Sequence, residues 1–153
     1  MRRSHITQRN GASRMPLVDD IRPYEDQIRF TLNRMDGTTF WAWSLWRAPE
    51  GADLLEALPL SDEYLQCAGS AEAMTIELRM PAGDGAARQY TVGKPGGDAD
   101  AAPETIPWDE GRRSTEVLPH EVFTADEAAD VFGAYFRTGE VGAPYVLRRR
   151  DDV

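Results

Sequence analysis

Apolar and polar residues alternate in the N-terminal third of the chain. Residues 28–33 read Ile-Arg-Phe-Thr-Leu-Asn, in which every second residue is apolar, and this period of two is typical of a half-buried strand. Asp36-Gly37, a dipeptide favoured in tight turns, follows, and residues 40–46 are rich in aromatic side chains. The pattern predicts that order begins near Ile28 with a β-hairpin formed by residues 28–33 and 40–46.

Further along, four segments have the alternation or composition of strands. They are residues 64–68, 74–80, 88–93 and, as a last short strand, 114–118. A short helix is expected over residues 53–58, because Pro59 stops it. Residues 94–112 are expected to form a long loop, with Ile106-Pro107-Trp108 as its anchor.

The strongest pattern predicts a helix over residues 125–137. Thr124 at the N-cap and Glu127 three residues later form a capping box. Gly139 ends the helix, and residues 141–147 are expected to be extended. The apolar residues of the helix fall on one stripe, Ala128, Val131, Phe132, Tyr135 and Phe136. Strands followed by one long helix favour an α+β domain: a mostly antiparallel β-sheet with one long C-terminal amphipathic helix packed on one face.

The same patterns divide the chain into three parts. Residues 1–22 lack apolar periodicity and are predicted to be a disordered basic arm, with Met15 as an alternative start. Residues 23–148 are predicted to form a single α+β domain, for which the 153-residue chain is long enough. Residues 149–153 are expected to be a polar tail.

Charge narrows the class of partner. The chain has 26 Asp and Glu against 17 Lys and Arg, a formal net charge of −9. Residues 1–14 contain four arginines and no acid, so the rest of the chain is more acidic than this figure. Because nucleic-acid binding needs clustered basic residues to neutralise phosphates, we expect no nucleic-acid partner. An acidic surface suits a basic partner instead.

The sequence disfavours a membrane span, a secretory signal and a catalytic cysteine. No apolar run is long enough to span a bilayer, and no apolar signal segment follows the basic N-terminus. We therefore expect a cytoplasmic protein without a membrane partner. The single cysteine, Cys67, is interpreted as a buried structural thiol rather than a nucleophile activated by His120.

Metal and cofactor sites are not expected either. His120 with Glu116 and Glu121 is a weak pattern for metal ligation, because adjacent residues rarely bind one ion, and this histidine is interpreted as ordering the turn before the helix. The glycine-rich residues 94–98 lack the Gly-Lys-Ser/Thr ending of a phosphate-binding loop. The prediction is no catalytic residue, no cofactor and no metal.

The aromatic segment 40–46 has large apolar side chains on both faces of the predicted strand. We expect the C-terminal helix to cover one face and the loops 47–63 and 94–112 to cover the other. In the alternative, one aromatic set is exposed and forms an interface.

The C-terminal region resembles a known family. Residues 123–140 form a capped amphipathic helix that runs into Thr138-Gly139, and Pro144 lies in the extended segment that follows. This arrangement resembles the end of the type-1 immunity proteins of bacterial polymorphic toxin systems, and residues 64–70 followed by the strand 74–80 are similar to their actinobacterial members. The last strand, Tyr145-Val-Leu-Arg148, lacks the tryptophan that many relatives have there.

The resemblance implies a protein that is not an enzyme. Its members bind a cognate toxin, frequently a nucleic-acid deaminase or nuclease, and block the active site. An acidic inhibitor would be steered into the basic substrate groove of such a toxin. The candidate partner-binding residues are four carboxylates in predicted loops and two tryptophans as apolar anchors, namely Asp62, Glu63, Asp109, Glu110, Trp46 and Trp108.

Two other classes of function remain open on the sequence. The first is a small ligand-binding or regulatory domain of a bacterial operon, with a pocket between the sheet and residues 94–112. The second is an enzyme with a pair of catalytic carboxylates.

Overall fold

The computed structural model describes residues 4–55 and 58–151. These ranges contain nine strands, two α-helices and one 3₁₀ turn, Pro119–Glu121. In chain order the elements are β1 (His5–Arg9), β2 (Ser13–Pro16), α1 (Tyr24–Leu32), β3 (Ala42–Arg47), β4 (Tyr64–Gly69), β5 (Met74–Pro81), β6 (Ala87–Gly93), β7 (Glu104–Trp108), β8 (Arg113–Val117), α2 (Ala125–Thr138) and β9 (Val146–Arg150).

The main sheet of the described chain has seven strands in the spatial order β2-β1-β3-β4-β5-β6-β9, and each neighbouring pair is antiparallel. Strands β7 and β8 pair only with each other, as a separate hairpin. The α+β class and the mostly antiparallel sheet predicted from the sequence are confirmed.

The core lies between one face of the sheet and the two helices. Register places Leu45, Leu65 and Leu78 side by side across β3, β4 and β5, and all three are buried. Helix α2 covers this face, and the Phe132 ring packs against Trp43 with 5.4 Å between ring centroids. The capping box, the apolar stripe and the terminal glycine of this helix are present as predicted, with Gly139 in the left-handed conformation.

The strand predicted over residues 28–33 is wrong, because this segment is the helix α1. Ile28 and Leu32 lie four residues apart and are fully buried, whereas Phe30 is 40% exposed beneath the Arg22 guanidinium. The spacing of Ile28 and Leu32 satisfies both periods, whereas Phe30 at i+2 fits only the strand. Packing against α2 selects the helical one.

The described part of the arm predicted to be disordered is also ordered. Residues 5–16 form the β1–β2 hairpin at one edge of the main sheet. Ile6 is fully buried and pairs with Trp46 of β3. The Asn10 side-chain oxygen accepts hydrogen bonds from the backbone of Trp41 and Ala42 at 2.8 and 3.1 Å. These contacts join residues that are distant in sequence, so the hydrophobic periodicity of a single segment does not predict them.

Three other segments differ in smaller ways from the elements predicted for them. The predicted loop 94–112 contains β7, which pairs with the correctly predicted strand near residues 114–118. The predicted tail begins inside β9, which extends to Arg150. Of the helix predicted over residues 53–58, residues 56 and 57 lie outside the described chain, and residues 53–55 form no helix.

Candidate partner-binding site

The two predicted acidic pairs lie at opposite ends of the sheet. Asp62 and Glu63 come directly before β4 begins. Asp109 and Glu110 form the turn between β7 and β8, where the Glu110 N–H donates to the Gly37 carbonyl. Gly37 lies beside Gly69, the last residue of β4. The two pairs therefore lie at different ends of β4 and are not adjacent.

The hairpin pair is neutralised within the chain. Asp109 faces two guanidinium groups, those of Arg112 at 3.6 Å and Arg113 at 3.7 Å, and its side chain is only 17% exposed. Glu110 also pairs with Arg112. Charges that already have partners offer little electrostatic attraction to a second protein.

The two predicted tryptophan anchors differ in accessibility. Trp46 is 2% exposed, and its indole N–H donates to the Pro59 carbonyl at 3.0 Å. It is therefore part of the folded body, covered by the loop 47–63, and is not a surface anchor. Trp108 is half-buried and stacks on Trp41, with 5.2 Å between ring centroids. It remains a candidate contact.

A small cleft opens at the end of the sheet where Glu63 lies. Its walls come from three places in the sequence, and its volume is about 130 Å³. The sheet contributes His5 and Arg47, the segment before β4 contributes Ser61 and Glu63, and the last turn of α2 contributes Tyr135 and Phe136.

Local folding rules explain how these residues meet. His5 of β1 is paired in register with Arg47 of β3. Tyr135 is the last fully buried residue of the α2 apolar stripe, and Gly139 ends the helix directly beyond it. The Gly139 N–H donates to the Tyr135 carbonyl at 2.7 Å, which closes the last turn. The carbonyl end of α2, with its partial negative charge, therefore faces the cleft.

His5 is a buried and uncharged wall of this cleft. It is 5% exposed, its Nδ1 lies 2.8 Å from the Ser4 hydroxyl, and its ring packs on Phe136 with 4.4 Å between centroids. Burial, together with the positive charge of Arg47, lowers the pKa of His5 to about 4. The imidazole is therefore neutral at pH 7.

Tyr135 and Glu63 present polar groups without partners. Tyr135 is 3% exposed, and burial and the Glu63 charge raise the pKa of its hydroxyl group, which stays protonated. Among the described residues, no hydrogen bond is made by this hydroxyl, and neither Glu63 nor Arg47 has an ion pair. The Tyr135 hydroxyl oxygen is not among the fully buried unpartnered atoms of the described residues, so it is open to the cleft, where a ligand can reach it.

Sequence reasoning missed most of this cleft. His5 was assigned to the disordered arm, and Tyr135 was interpreted only as a core residue. Glu63 was the exception, because it was predicted to contact a partner. The signal available for Tyr135 was its position at the end of the stripe, where a phenol can keep its ring buried and its hydroxyl accessible.

A larger groove lies between β8 and β9. It has a volume of about 740 Å³ and is lined by residues 114–116 and 148–151. Arg148 forms two 2.9 Å hydrogen bonds with the buried Glu121 carboxylate. Arg150 pairs with Glu77 at 3.1 Å. The arginines of this groove therefore have carboxylate partners within the chain.

The other chemical candidates have structural roles or no support. Cys67 is buried, and burial raises the pKa of its thiol to about 12, so it is not a reactive thiolate. His120 packs over Gly93 and Gly97, where a Cβ atom would collide with the imidazole. Within residues 4–55 and 58–151, no group of three or more potential ligand side chains is arranged to hold a metal ion.

Comparison with known proteins finds no matching family model, no matching curated protein and no matching solved structure. In the described ranges, none of the helices has the length and apolar character that a membrane crossing requires.

Proposed function

We propose that this protein is an immunity protein that binds a cognate bacterial toxin and neutralises it by blocking its basic active-site groove. The toxin class that fits this proposal is one that acts on nucleic acid, such as a deaminase or a nuclease, since its substrate site must be cationic. In this role the protein is a stoichiometric inhibitor, not an enzyme, and acts in the cytoplasm of the producing cell.

The observation that carries the proposal is the unpaired acidic surface around the cleft. The exposed carboxylates that line the cleft or adjoin its lining residues in sequence are Asp62, Glu63 and Glu140, and none has an ion pair among the described residues. Arg47 is the one basic side chain that lines the cleft. Unpaired charges of one sign on one surface raise the association rate with an oppositely charged protein and disfavour other partners.

The partner is identified by affinity purification from the native host, with tagged protein as bait and mass spectrometry as readout. We expect a near-stoichiometric protein with a C-terminal toxin domain. Recovery of no such protein from a host that expresses the toxin would contradict the immunity role.

The interface is tested with two matched double variants. Asp62→Asn with Glu63→Gln and Asp109→Asn with Glu110→Gln remove the same charge at the two ends of β4. We expect the first pair to weaken toxin binding at least 30-fold at low salt, with a smaller salt dependence, and the second pair to change it less than threefold. Equal effects would contradict the placement of the interface at the cleft.

The groove between β8 and β9 favours a second candidate, a small ligand-binding or regulatory domain. Its volume of about 740 Å³ is in the range of roughly 300–1,000 Å³ typical of small-molecule sites, but the groove is open to solvent and lined by polar side chains, so it suits a polar ligand. A thermal-shift screen with metabolites distinguishes the two functions. A ligand that raises Tm, and loses this effect when Arg149 is changed to Ala, supports the second one.

A further inference from the structure

We propose that the cleft formed by His5, Tyr135 and Glu63 binds the side chain of a lysine or arginine of the protein partner. The identity of the partner rests on the proposed function. The preference of the cleft for a cation rests on its own walls and can be tested without any partner.

Size excludes most other occupants. A volume of about 130 Å³ corresponds to roughly four water molecules at about 30 Å³ each. Sites for cofactors and drug-sized ligands are larger, at about 300 Å³ or more. One extended side chain from a docking protein fits this space, and a buried side chain of this kind is the usual anchor of an interface.

The cleft offers acceptors on one exposed side chain, Glu63, and two buried ones, His5 and Tyr135. The Glu63 carboxylate has no ion pair in the described chain, and the hydroxyl oxygen of Tyr135 has no hydrogen-bond partner there. His5 is neutral at pH 7, and when its Nδ1–H donates to Ser4, its Nε2 is an acceptor. Guanidinium and ammonium groups carry only donors, so they complement these walls.

The aromatic rings and the helix end favour the same charge. The rings of His5, Phe136 and Tyr135 line the cleft, and cations are attracted to the faces of phenyl and phenol rings. The C-terminal end of α2 also favours a positive group. Arg47 is the opposing charge, and like Glu63 it is exposed, so the two charges offset each other. The side chains that are more than nine-tenths buried, His5 and Tyr135, carry no charge, so their acceptor atoms and ring faces add the preference for a cation.

The test is an NMR titration of the full-length protein with three probes of similar size. n-Butylguanidinium represents the cationic side chain, 1-butanol an apolar one and butyrate an anionic one. We expect saturable shifts of the His5 and Tyr135 signals with n-butylguanidinium alone, with a Kd in the millimolar range. Preference for butyrate, equal response to 1-butanol, or no saturable shift up to 100 mM n-butylguanidinium would overturn the proposal.

Variants distinguish binding of the probe in the cleft from its attraction to the overall negative charge of the protein. Glu63→Gln should weaken n-butylguanidinium binding at least tenfold, and Tyr135→Phe, which keeps the ring, about threefold. The control is Glu72→Gln, an exposed carboxylate between β4 and β5 at the far end of the sheet, which should leave the Kd unchanged. An equal loss in the Glu72 variant would mean that only overall charge is sensed.

The two proposals fail in different ways. If the probe binds but no toxin is recovered from the host, the cleft proposal stands and the immunity role falls. If a toxin is recovered and its affinity is insensitive to both Glu63→Gln and Tyr135→Phe, the immunity role stands and the cleft is not its anchor site.

Discussion

Two regions of this molecule differ in whether their acidic residues have ion-pair partners within the chain. On the side of β8, β9 and the 3₁₀ turn, Glu77, Glu121 and Asp109 lie close to arginines of the same chain. At the cleft, Asp62 and Glu63 are exposed and have no such partners among the described residues. Carboxylates of the first region hold the fold together. Those of the second are available to another molecule.

The largest effect on stability at neutral pH is expected where the paired carboxylate is most buried. Glu121 is 1% exposed and accepts hydrogen bonds from Arg148 and from the Leu118 N–H. Although burial opposes ionisation, these bonds outweigh it and lower the pKa of Glu121. Glu121→Ala should reduce the free energy of unfolding by about 2 kcal/mol in urea titrations, because it removes the acceptor of the Leu118 N–H and of the Arg148 guanidinium. Glu116→Ala, an exposed acid on the neighbouring β8, is the control and should cost less than about 0.5 kcal/mol.

The second effect, at the cleft, depends on pH. The pKa of His5 is about 4 in the folded protein, below the value of about 6.5 for an unfolded chain. As the pH falls from 6.5 to 4, the unfolded state takes up the proton first, so the folded state loses about 3 kcal/mol of stability from this residue. When the free energy of unfolding is plotted against pH, the curves of the wild type and His5→Gln should therefore converge or cross in this interval. Parallel curves would show that His5 titrates normally.

A smaller effect tests whether α2 transmits changes between the two regions. Thr124 caps the far end of this helix, and its hydroxyl accepts the Glu127 N–H. Thr124→Ala should cost about 1 kcal/mol of unfolding free energy. Because the last turn is held separately by its packing and by Gly139, n-butylguanidinium affinity should stay within twofold. A matching loss of affinity would show that the cleft depends on the cap.

The smallest effect compares the two acidic pairs directly. Asp109→Asn with Glu110→Gln should cost about 0.5 kcal/mol, the usual contribution of exposed ion pairs, and asparagine tolerates the left-handed conformation of residue 109. Asp62→Asn with Glu63→Gln should leave stability unchanged or slightly raise it. Thermal unfolding followed by circular dichroism measures both, and a clear loss in the second pair would mean that these carboxylates have structural roles.

The sequence was informative where structure is local. Helix α2 was predicted almost to the residue, because its cap, stripe and terminal glycine are all encoded within the helix. Strands β5 and β6 are predicted from alternation, and β4 from its apolar composition. These elements contain their own signals, and packing agrees with them.

The predictions were wrong where contacts between residues distant in sequence determine the secondary structure or the burial. In residues 28–33 the spacing of Ile28 and Leu32 fits both a strand and a helix, and contact with α2 selects the helix. Residues 5–9 look polar, yet His5 and Thr7 are buried because β1 pairs with β3. The cleft depends on this pairing, so its composition could not be read before the position of β1 was known. Glu63 could be proposed from charge alone, but its separation from Asp109 could not.

The strand order also has a consequence for how the chain folds. Strands β3 to β6 are consecutive in sequence and adjacent in space, so their pairing closes shorter loops than the pairing of the outer strands does. The β1–β2 hairpin at one edge and β9 at the other must pair with strands that are distant in the chain. Because the entropic cost of closing a loop rises with its length, the central meander is expected to nucleate the sheet and the edges to join late. The cleft, which needs β1, is then completed only in the last stage of folding. The rate at which refolding protein regains the ability to bind therefore measures the rate of that stage.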